Sequence, residues 1–178
     1  EPRLMTEAFV KRLSACEKVC PQFHLSLQSG CDETLKRMHR KYDTARFLQS
    51  CAPLRTDFPD CAITTDLIVG FPGETEAEFE TTLSFLRQAD FSAMHIFPYS
   101  RPEKARRAAV AGQVERELRQ NYQRRFVGKT MPVLFEQQDQ LGRWTGHTTN
   151  YILVAAEGRD LRNQILDVRI TGQEADGL

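Results

Sequence analysis

Ala62-Ile63-Thr64-Thr65-Asp66-Leu67-Ile68-Val69-Gly70-Phe71-Pro72-Gly73-Glu74-Thr75-Glu76-Ala77-Glu78 is the stretch whose reading decides the fold. From Ala62 to Val69 it is β-branched and mostly apolar, the composition of a strand covered on both faces, as strands of parallel sheets are. Gly70-Phe71-Pro72-Gly73 ends it, since Gly and Pro are the strongest local punctuators of a strand. Thr75 and Glu78 then stand at the T-x-x-E spacing of a capping box, which predicts a helix running to about Gln88. Strand, tight turn and capped helix make one βα unit.

The same grammar repeats on both sides. Upstream, Phe23-His24-Leu25-Ser26-Leu27 alternates like a short strand and stops at Gln28-Ser29-Gly30. Helical patterns follow over 31–39 and 44–55, the second with Phe47, Leu48, Cys51 and Leu54 on one side. Near the start, Thr6 has the chemistry of an N-cap, and Phe9, Leu13, Cys16 and Cys20 follow at helical spacing, which predicts a helix with both thiols in the core. Downstream of the deciding stretch, a third strand over 91–97 ends at Pro98. Three strand–helix repeats predict an α/β fold with a parallel sheet, and barrels of that class carry their sites at the carboxyl ends of the strands. Three repeats cannot close such a barrel, so the expectation is a partial, open βα barrel with at least half of the sheet upstream of Glu1.

Beyond residue 100 the pattern changes twice. Ala111, Val114, Leu118, Tyr122 and Phe126 mark one apolar stripe of a long helix. Over 101–129 nine basic residues (Arg101, Lys104, Arg106, Arg107, Arg116, Arg119, Arg124, Arg125, Lys129) outnumber three acidic ones, and such a face serves either solvent or RNA. From residue 128, short β runs at 131–136, 143–146, 150–156 and 164–170 predict a small all-β barrel, a shape that often binds oligonucleotides. The predicted organisation is therefore 1–100, 101–127 and 128–178.

Composition bounds the function. With 40% hydrophobic and 27% charged residues over 178 positions, a packed core is expected and wholesale disorder is not. Basic and acidic residues balance at 24 each, so any attraction for nucleic acid must come from local clustering. No apolar run approaches the roughly 20 residues that span a bilayer, so no membrane partner is expected. Five cysteines, an odd number without a dense framework, predict reduced thiols and a cytoplasmic protein. The first residues show neither an initiator Met nor a signal pattern, and read as the middle of a longer protein.

The residues that could carry chemistry cluster at the strand ends. Gln28 closes the first strand, Arg40 follows just past a helix, and Asp66 and Ile68 lie at the end of the second. An amide and a carboxylate suit a ribose diol, whose hydroxyls both donate and accept. An arginine suits a carboxylate through a bidentate pair. The backbone around Ile68 and the Gly-Phe-Pro-Gly turn offers edge hydrogen bonds and close approach to a flat base. One ligand needing all of these is an amino-acid nucleoside such as S-adenosylmethionine. Each residue also has a plain alternative: a backbone partner for Asp66, a helix-end charge for Arg40, simple turns for the glycines.

Four blocks in order, His24-Leu25-Ser26-Leu27-Gln28-Ser29-Gly30-Cys31-Asp32, Leu35 to Tyr42, Thr64 to Thr75 and His95-Ile96-Phe97-Pro98-Tyr99-Ser100, resemble the methylthiotransferase family of radical S-adenosylmethionine enzymes. The tail, with Gly128-Lys129-Thr130, Val133-Leu134-Phe135-Glu136 and Gly146-His147-Thr148-Thr149-Asn150-Tyr151, is similar to the TRAM RNA-binding domain that ends those enzymes. Within the family, the Leu-Ser-Leu-Gln-Ser-Gly and Phe-Pro-Tyr-Ser forms look most like the branch acting on threonylcarbamoyladenosine beside the tRNA anticodon. The isopentenyladenosine and ribosomal-protein branches are the nearest alternatives; a non-catalytic RNA-binding module and another radical reaction are the rivals outside them. The resemblance implies that Gln28 and Asp66 hold the ribose of S-adenosyl-L-methionine, that Arg40 meets its carboxylate and that Ile68 backs its adenine. It also implies two 4Fe-4S clusters, an electron donor to reduce them, and the tRNA anticodon arm as partner.

The departures matter as much. A radical cluster needs C-x-x-x-C-x-x-C, because three thiolates hold it and leave one iron open. Cys16-x-x-x-Cys20 matches the first half, but position 23 is Phe, so the cluster ligands are expected outside this chain, and the chain alone is expected to be inactive. After Ser100 the family continues with a Gly-Thr-Pro-Ala-like segment, whereas Arg101-Pro102 runs directly into Glu103-Lys104-Ala105. In the tail, Arg143, His147 and Asn150 are the candidate RNA contacts, with Trp144 and Tyr151 either stacking on bases or, for Tyr151 inside an apolar run, anchoring the core.

Overall fold

The computed structural model describes residues 2–99 and 104–174, so the segment after Ser100 and Arg101 itself lie outside the described residues. A 3-10 turn (Pro2–Leu4) and α1 (Glu7–Ser14) precede β1 (Gln22–His24), α2 (Asp32–Arg37), α3 (Thr44–Asp57), β2 (Ala62–Val69), α4 (Glu76–Ala89), β3 (Ala93–Pro98) and the long α5 (Lys104–Arg124). The strands form one parallel sheet in the order β1-β2-β3. The capping box is present as read: Thr75 Oγ1 accepts from the Glu78 amide and the Glu78 carboxylate accepts from the Thr75 amide. The chain then folds β4 (Thr130–Gln138), β5 (Trp144–Thr148), β6 (Leu153–Ala156) and β7 (Ile165–Arg169) into an antiparallel sheet ordered β6-β5-β4-β7. No ladder joins β6 to β7 among the described residues, so the expected barrel stands as an open four-stranded sheet.

β2 is not covered on both faces, as its composition had suggested. Ile63, Thr65, Leu67 and Val69 are buried, against a cluster that includes Phe47, Leu54, Phe79 and Leu86 from the helices and Phe91 from the turn after α4. Thr64, Asp66 and Ile68, on the alternate positions, are only half-buried. The strand therefore has a dry side and a side open among the described residues, the period-2 consequence of the pleat.

α5 joins the two halves through one stripe, as its spacing predicted. Ala111, Val114 and Leu118 are buried in the core of the parallel sheet, while Tyr122 and, in the turn just past the helix, Phe126 enter the core of the antiparallel one with Val133, Phe135, Ile152, Val154 and Ile170. The seam between them is polar and satisfied. Tyr122 donates its hydroxyl proton to the Asp60 carbonyl (2.8 Å), and the Asn150 amide donates to the Tyr122 oxygen (2.9 Å) and to the Asp60 carbonyl (3.2 Å).

α1 corrects the sequence reading. Thr6 does cap it, accepting from the Phe9 amide, but the helix ends at Ser14 and its buried residue is Val10. Phe9 is 42% exposed, and Cys16 and Cys20 are exposed rather than core residues. The apparent stripe fails because the helix stops before it reaches either thiol.

Candidate functional site

The end of β1 is built around a bulge. The Leu25 amide bonds to the Thr64 carbonyl and the Gln28 amide to the Asp66 carbonyl, each at 2.9 Å, so three steps on one strand match two on the other. The buried Thr65 hydroxyl fills the irregularity, donating to the Leu25 carbonyl (2.6 Å) and accepting from the Leu27 amide (2.9 Å). Past the bulge, Gln28 adopts φ 71°, and its carbonyl accepts from the Ile68 amide at 2.9 Å. A left-handed, non-glycine residue at a strand end marks a place where local geometry is held by its surroundings. Tyr42 is one holder, its hydroxyl proton shared between the carbonyls of Ser26 (2.7 Å) and Leu27 (3.1 Å). Gly30 is another, since a Cβ there would lie 2.9 Å from Phe85 Cβ and 3.0 Å from Thr82 Cα, and only its absence lets α4 close on the strand end.

Backbone bonds thus lock Gln28 between Asp66 and Ile68, and three of the four residues read as cofactor contacts meet at one point. Arg40 is tied nearby by a different device. α2 ends in a Schellman motif, with the His39 amide bonding to the Lys36 carbonyl and the Arg40 amide to the Leu35 carbonyl, and with His39 at φ 54°. Tyr42 then anchors the following turn to the strand end. The Arg40 side chain is exposed and has no hydrogen-bond or ion-pair partner among the described residues.

The open side of the sheet carries polar residues that sequence reasoning missed. His24 reaches Asp66 Oδ2 through Nε2 (3.2 Å) and Thr64 Oγ1 through Nδ1 (3.1 Å). A neutral imidazole so placed keeps its proton on Nε2, facing the carboxylate, and accepts from the threonine. His95 is the ladder partner of Asp66, and its ring centroid lies 6.4 Å from that of His24. The signal was available: Thr64 and Asp66 are two apart in a strand, so they share a face and require a neighbour in register.

The Gly70-Phe71-Pro72-Gly73 turn is clamped from behind. Gly70 (φ 70°) and Gly73 (φ 79°) take left-handed conformations that other residues avoid. The Gly70 amide donates to Glu74 (2.6 Å), whose buried carboxylate also accepts from Arg107 of α5 (2.7 Å). Arg107 extends to Glu76 (3.0 Å) and lies over the Phe79 ring (5.3 Å). Arg37 forms a bidentate pair with Glu78, both bonds at 2.9 Å; that guanidinium, with the Thr75 amide, holds the Glu78 carboxyl down at about 2.

Most of the basic helix is spent in the same way. Arg106 pairs with Glu76, Arg119 with Glu115, Arg125 with Asp90, and Lys129, just beyond the helix, with Asp60. The acids of the parallel half neutralise much of the face read as solvent- or RNA-facing, and Arg116 and Arg124 remain exposed.

In the antiparallel sheet the three candidate RNA contacts separate. Asn150 is a correction: at 2% exposure, with its amide spent on Tyr122 and Asp60, it is a seam residue rather than surface. Arg143 is held by Asp139 (2.9 Å) and Glu174, two carboxylates that offset its charge. His147 stays half-exposed, bonded to Glu136 (2.6 Å) and stacked on Tyr151 with centroids 4.5 Å apart and planes 15° from parallel. Tyr151 is 67% exposed at φ 64°, so it is not the core anchor its apolar neighbours suggested. Register places Leu153, His147, Leu134 and Ile165 in one row across the sheet, all at least partly exposed.

The sequence that builds this site has relatives among known proteins. Residues 1–86, which carry β1, β2 and the bulge, match the model of the Radical SAM superfamily. Among curated proteins the chain is 35% identical over 176 residues to a tRNA-2-methylthio-N(6)-dimethylallyladenosine synthase of Rhodococcus jostii, a match covering 99% of this chain and 34% of that protein. It is 37% identical to the synthase of the same name from Symbiobacterium thermophilum (96% and 40%), and 36% identical to the threonylcarbamoyladenosine tRNA methylthiotransferase of Thermotoga maritima (83% and 38%). The resemblance to tRNA methylthiotransferases therefore runs through both sheets, and the chain spans about a third of the length of these relatives.

Proposed function

We propose that the chain is the carboxyl-terminal part of a radical S-adenosylmethionine methylthiotransferase that adds a methylthio group to an N6-modified adenosine beside the tRNA anticodon. The observation that carries this reading is the bulge that joins Gln28, Asp66 and Ile68 at the carboxyl end of the parallel sheet. Gln28 and Asp66 would hold the ribose of the cofactor, with His24 fixing the Asp66 carboxylate. Ile68 would back the adenine, and Arg40, left without an anionic partner among the described residues, would meet the methionyl carboxylate. When bound beside a reduced 4Fe-4S cluster, the cofactor would supply a deoxyadenosyl radical; in this reading a second cluster relays the sulfur and a second S-adenosylmethionine donates the methyl group. The described residues do not fit a cluster themselves: no group of three His, Cys, Asp or Glu is placed to hold a metal, and Cys16 and Cys20 stand exposed. Cluster ligands and the electron donor's docking site belong to other parts of the enzyme.

In the same reading 1–100 is the end of the radical core, 101–127 a linking helix and 128–178 a TRAM-like RNA module working in the cytoplasm. Its RNA surface is His147 with Tyr151, backed by Arg143. The threonylcarbamoyl branch remains the proposed one on the Leu-Ser-Leu-Gln-Ser-Gly form, although a relative named for the dimethylallyl branch matches at 37% against 36%. No described helix is long and apolar enough to cross a membrane. Mass spectrometry of tRNA nucleosides tests the reading: deleting the gene should abolish one 2-methylthio-adenosine derivative, and which one disappears names the branch. An unchanged nucleoside profile overturns it.

A further inference from the structure

The carboxyl edge of the sheet carries aromatic rings that the cofactor reading leaves unused. Phe97 is the ladder partner of Ile68, and in a parallel ladder partners project to the same side, so its ring rises from the open face beside the adenine-backing position. It is 53% exposed, although Met94 and Ile96 on the same strand are turned into the core. Tyr99 continues the row on the same side, its amide bonding to the Val69 carbonyl (2.9 Å), and is 44% exposed. Phe71, from the clamped turn, meets Tyr99 edge-on with centroids 5.5 Å apart. Phe71 and Tyr99 are thus in contact and Phe97 stands two residues before Tyr99 along the same edge, and none of the three is among the buried core residues.

Beside Phe71 lies a cavity of about 300 Å³ lined by Gly70, Gly73, Glu74, Glu76, Arg106 and Arg107. Arg107 is committed to the buried Glu74, but the side chain of Arg106 is 77% exposed and the acid it pairs with among the described residues, Glu76, is 54% exposed. An exposed pair of that kind is worth little, so Arg106 can exchange Glu76 for a phosphate. Exposed π faces next to an exchangeable arginine are the recognition chemistry of an unstacked nucleotide, in which a base stacks and the guanidinium follows the backbone.

We propose that Phe97 and Tyr99, supported by Phe71, form the stacking rim that takes the flat base of the substrate RNA above the cofactor, making Phe97 a specificity-determining residue. The proposal rests on the function proposed above and adds to it which residues of this chain grip the base. Ultraviolet cross-linking tests it, using the 178-residue chain and a hairpin RNA with adenosines in its single-stranded loop, with adducts mapped by mass spectrometry. The expected adduct lies on the peptide containing His95 to Tyr99; its yield falls about tenfold in Phe97→Ala, the scale of one lost stacking contact, and is kept in Phe97→Trp. Adducts confined to the antiparallel sheet, or equal yields from Phe97→Ala and the native chain, overturn the rim. A failure of the underlying reading shows elsewhere: the tRNA nucleosides of the gene deletion would be unchanged, whatever the cross-link pattern.

Discussion

The two sheets of this chain leave opposite kinds of surface open. The parallel sheet buries apolar residues under its helices and exposes a row of hydrogen-bonding ones, His24, Thr64, Asp66 and His95. The antiparallel sheet buries Val133, Phe135 and Val154 and exposes Leu153, Leu134 and Ile165 around a stacked His147–Tyr151 pair. Ordinary patterning predicts the reverse, since parallel sheets are covered on both faces and antiparallel sheets keep a polar wet side. Polar groups gathered on the open parallel face are what a polar ligand requires. Exposed apolar and aromatic groups are what a stacking or docking partner requires. The inversion gives the two open faces different chemistry, hydrogen-bonding on the parallel sheet and apolar around one stacked ring pair on the antiparallel sheet.

The sharpest way to break the comparison is at a glycine in each half. A Cβ at Gly146 would sit 2.0 Å from the Leu134 carbonyl oxygen and 2.7 Å from Phe135 Cα, both backbone atoms of the paired strand. Gly146→Ala must therefore part β4 from β5, and is expected to cost about 3 kcal/mol or more. Gly30→Ala meets Phe85 and Thr82 at 2.9–3.0 Å, contacts that a shift of α4 can ease, and should cost about 1–2 kcal/mol. Urea unfolding of the two variants ranks them, and the opposite order would show that the antiparallel sheet is the more adaptable of the two.

The seam asks whether the halves stand or fall together. Asn150→Ala removes two donors from the Tyr122–Asp60 junction and strands the Thr148 hydroxyl that points to Asn150 Oδ1. Leaving buried polar groups short of partners should cost about 2 kcal/mol. Because α5 contributes to both cores, Trp144 fluorescence and helical circular dichroism should still report one common transition. Two separated transitions would show that the shared stripe does not couple the sheets.

What the sequence revealed and what it hid divide along the range of the interactions. The bounds of β2, the capping box of α4 and the stripe of α5 are set by residues within a few positions of one another, and all are read correctly. The convergence of Gln28, Asp66 and Ile68 was anticipated only as strand ends; the bulge that achieves it depends on Thr65, far along the chain from Leu25. Asn150 looked like surface because its turn is polar, and its partners lie in Asp60 and Tyr122. The charge of α5 was visible, yet the acids that absorb it, Glu74, Glu76, Asp90 and Asp60, belong to other elements. Cys16 and Cys20 misled for a local reason: helical spacing says nothing about where the helix stops.

The mildest perturbation, acid, separates the halves by how their carboxylates are held. Glu78 caps α4 and receives both arms of Arg37, so its folded pKa lies near 2, below the ordinary value of 4.5. A carboxyl depressed on folding stabilises the native state fully above its unfolded value, and that contribution fades as pH falls from about 4.5 through about 2. The native chain should therefore exceed Glu78→Gln in stability at neutral pH, and the difference should close over that window. In the antiparallel half, Arg143 lowers Asp139 and Glu174 in the same sense, but the Glu174 side chain is 56% exposed against 17% for Glu78. Salt screens an exposed pair far more than a shielded one. Molar salt should therefore erase the effect of Glu174→Gln and leave most of that of Glu78→Gln, as read by thermal unfolding at neutral pH. Equal salt sensitivity would mean that the cap adds nothing to the Arg37 pair, and that the turn below the aromatic rim is held by Glu74 and Arg107 alone.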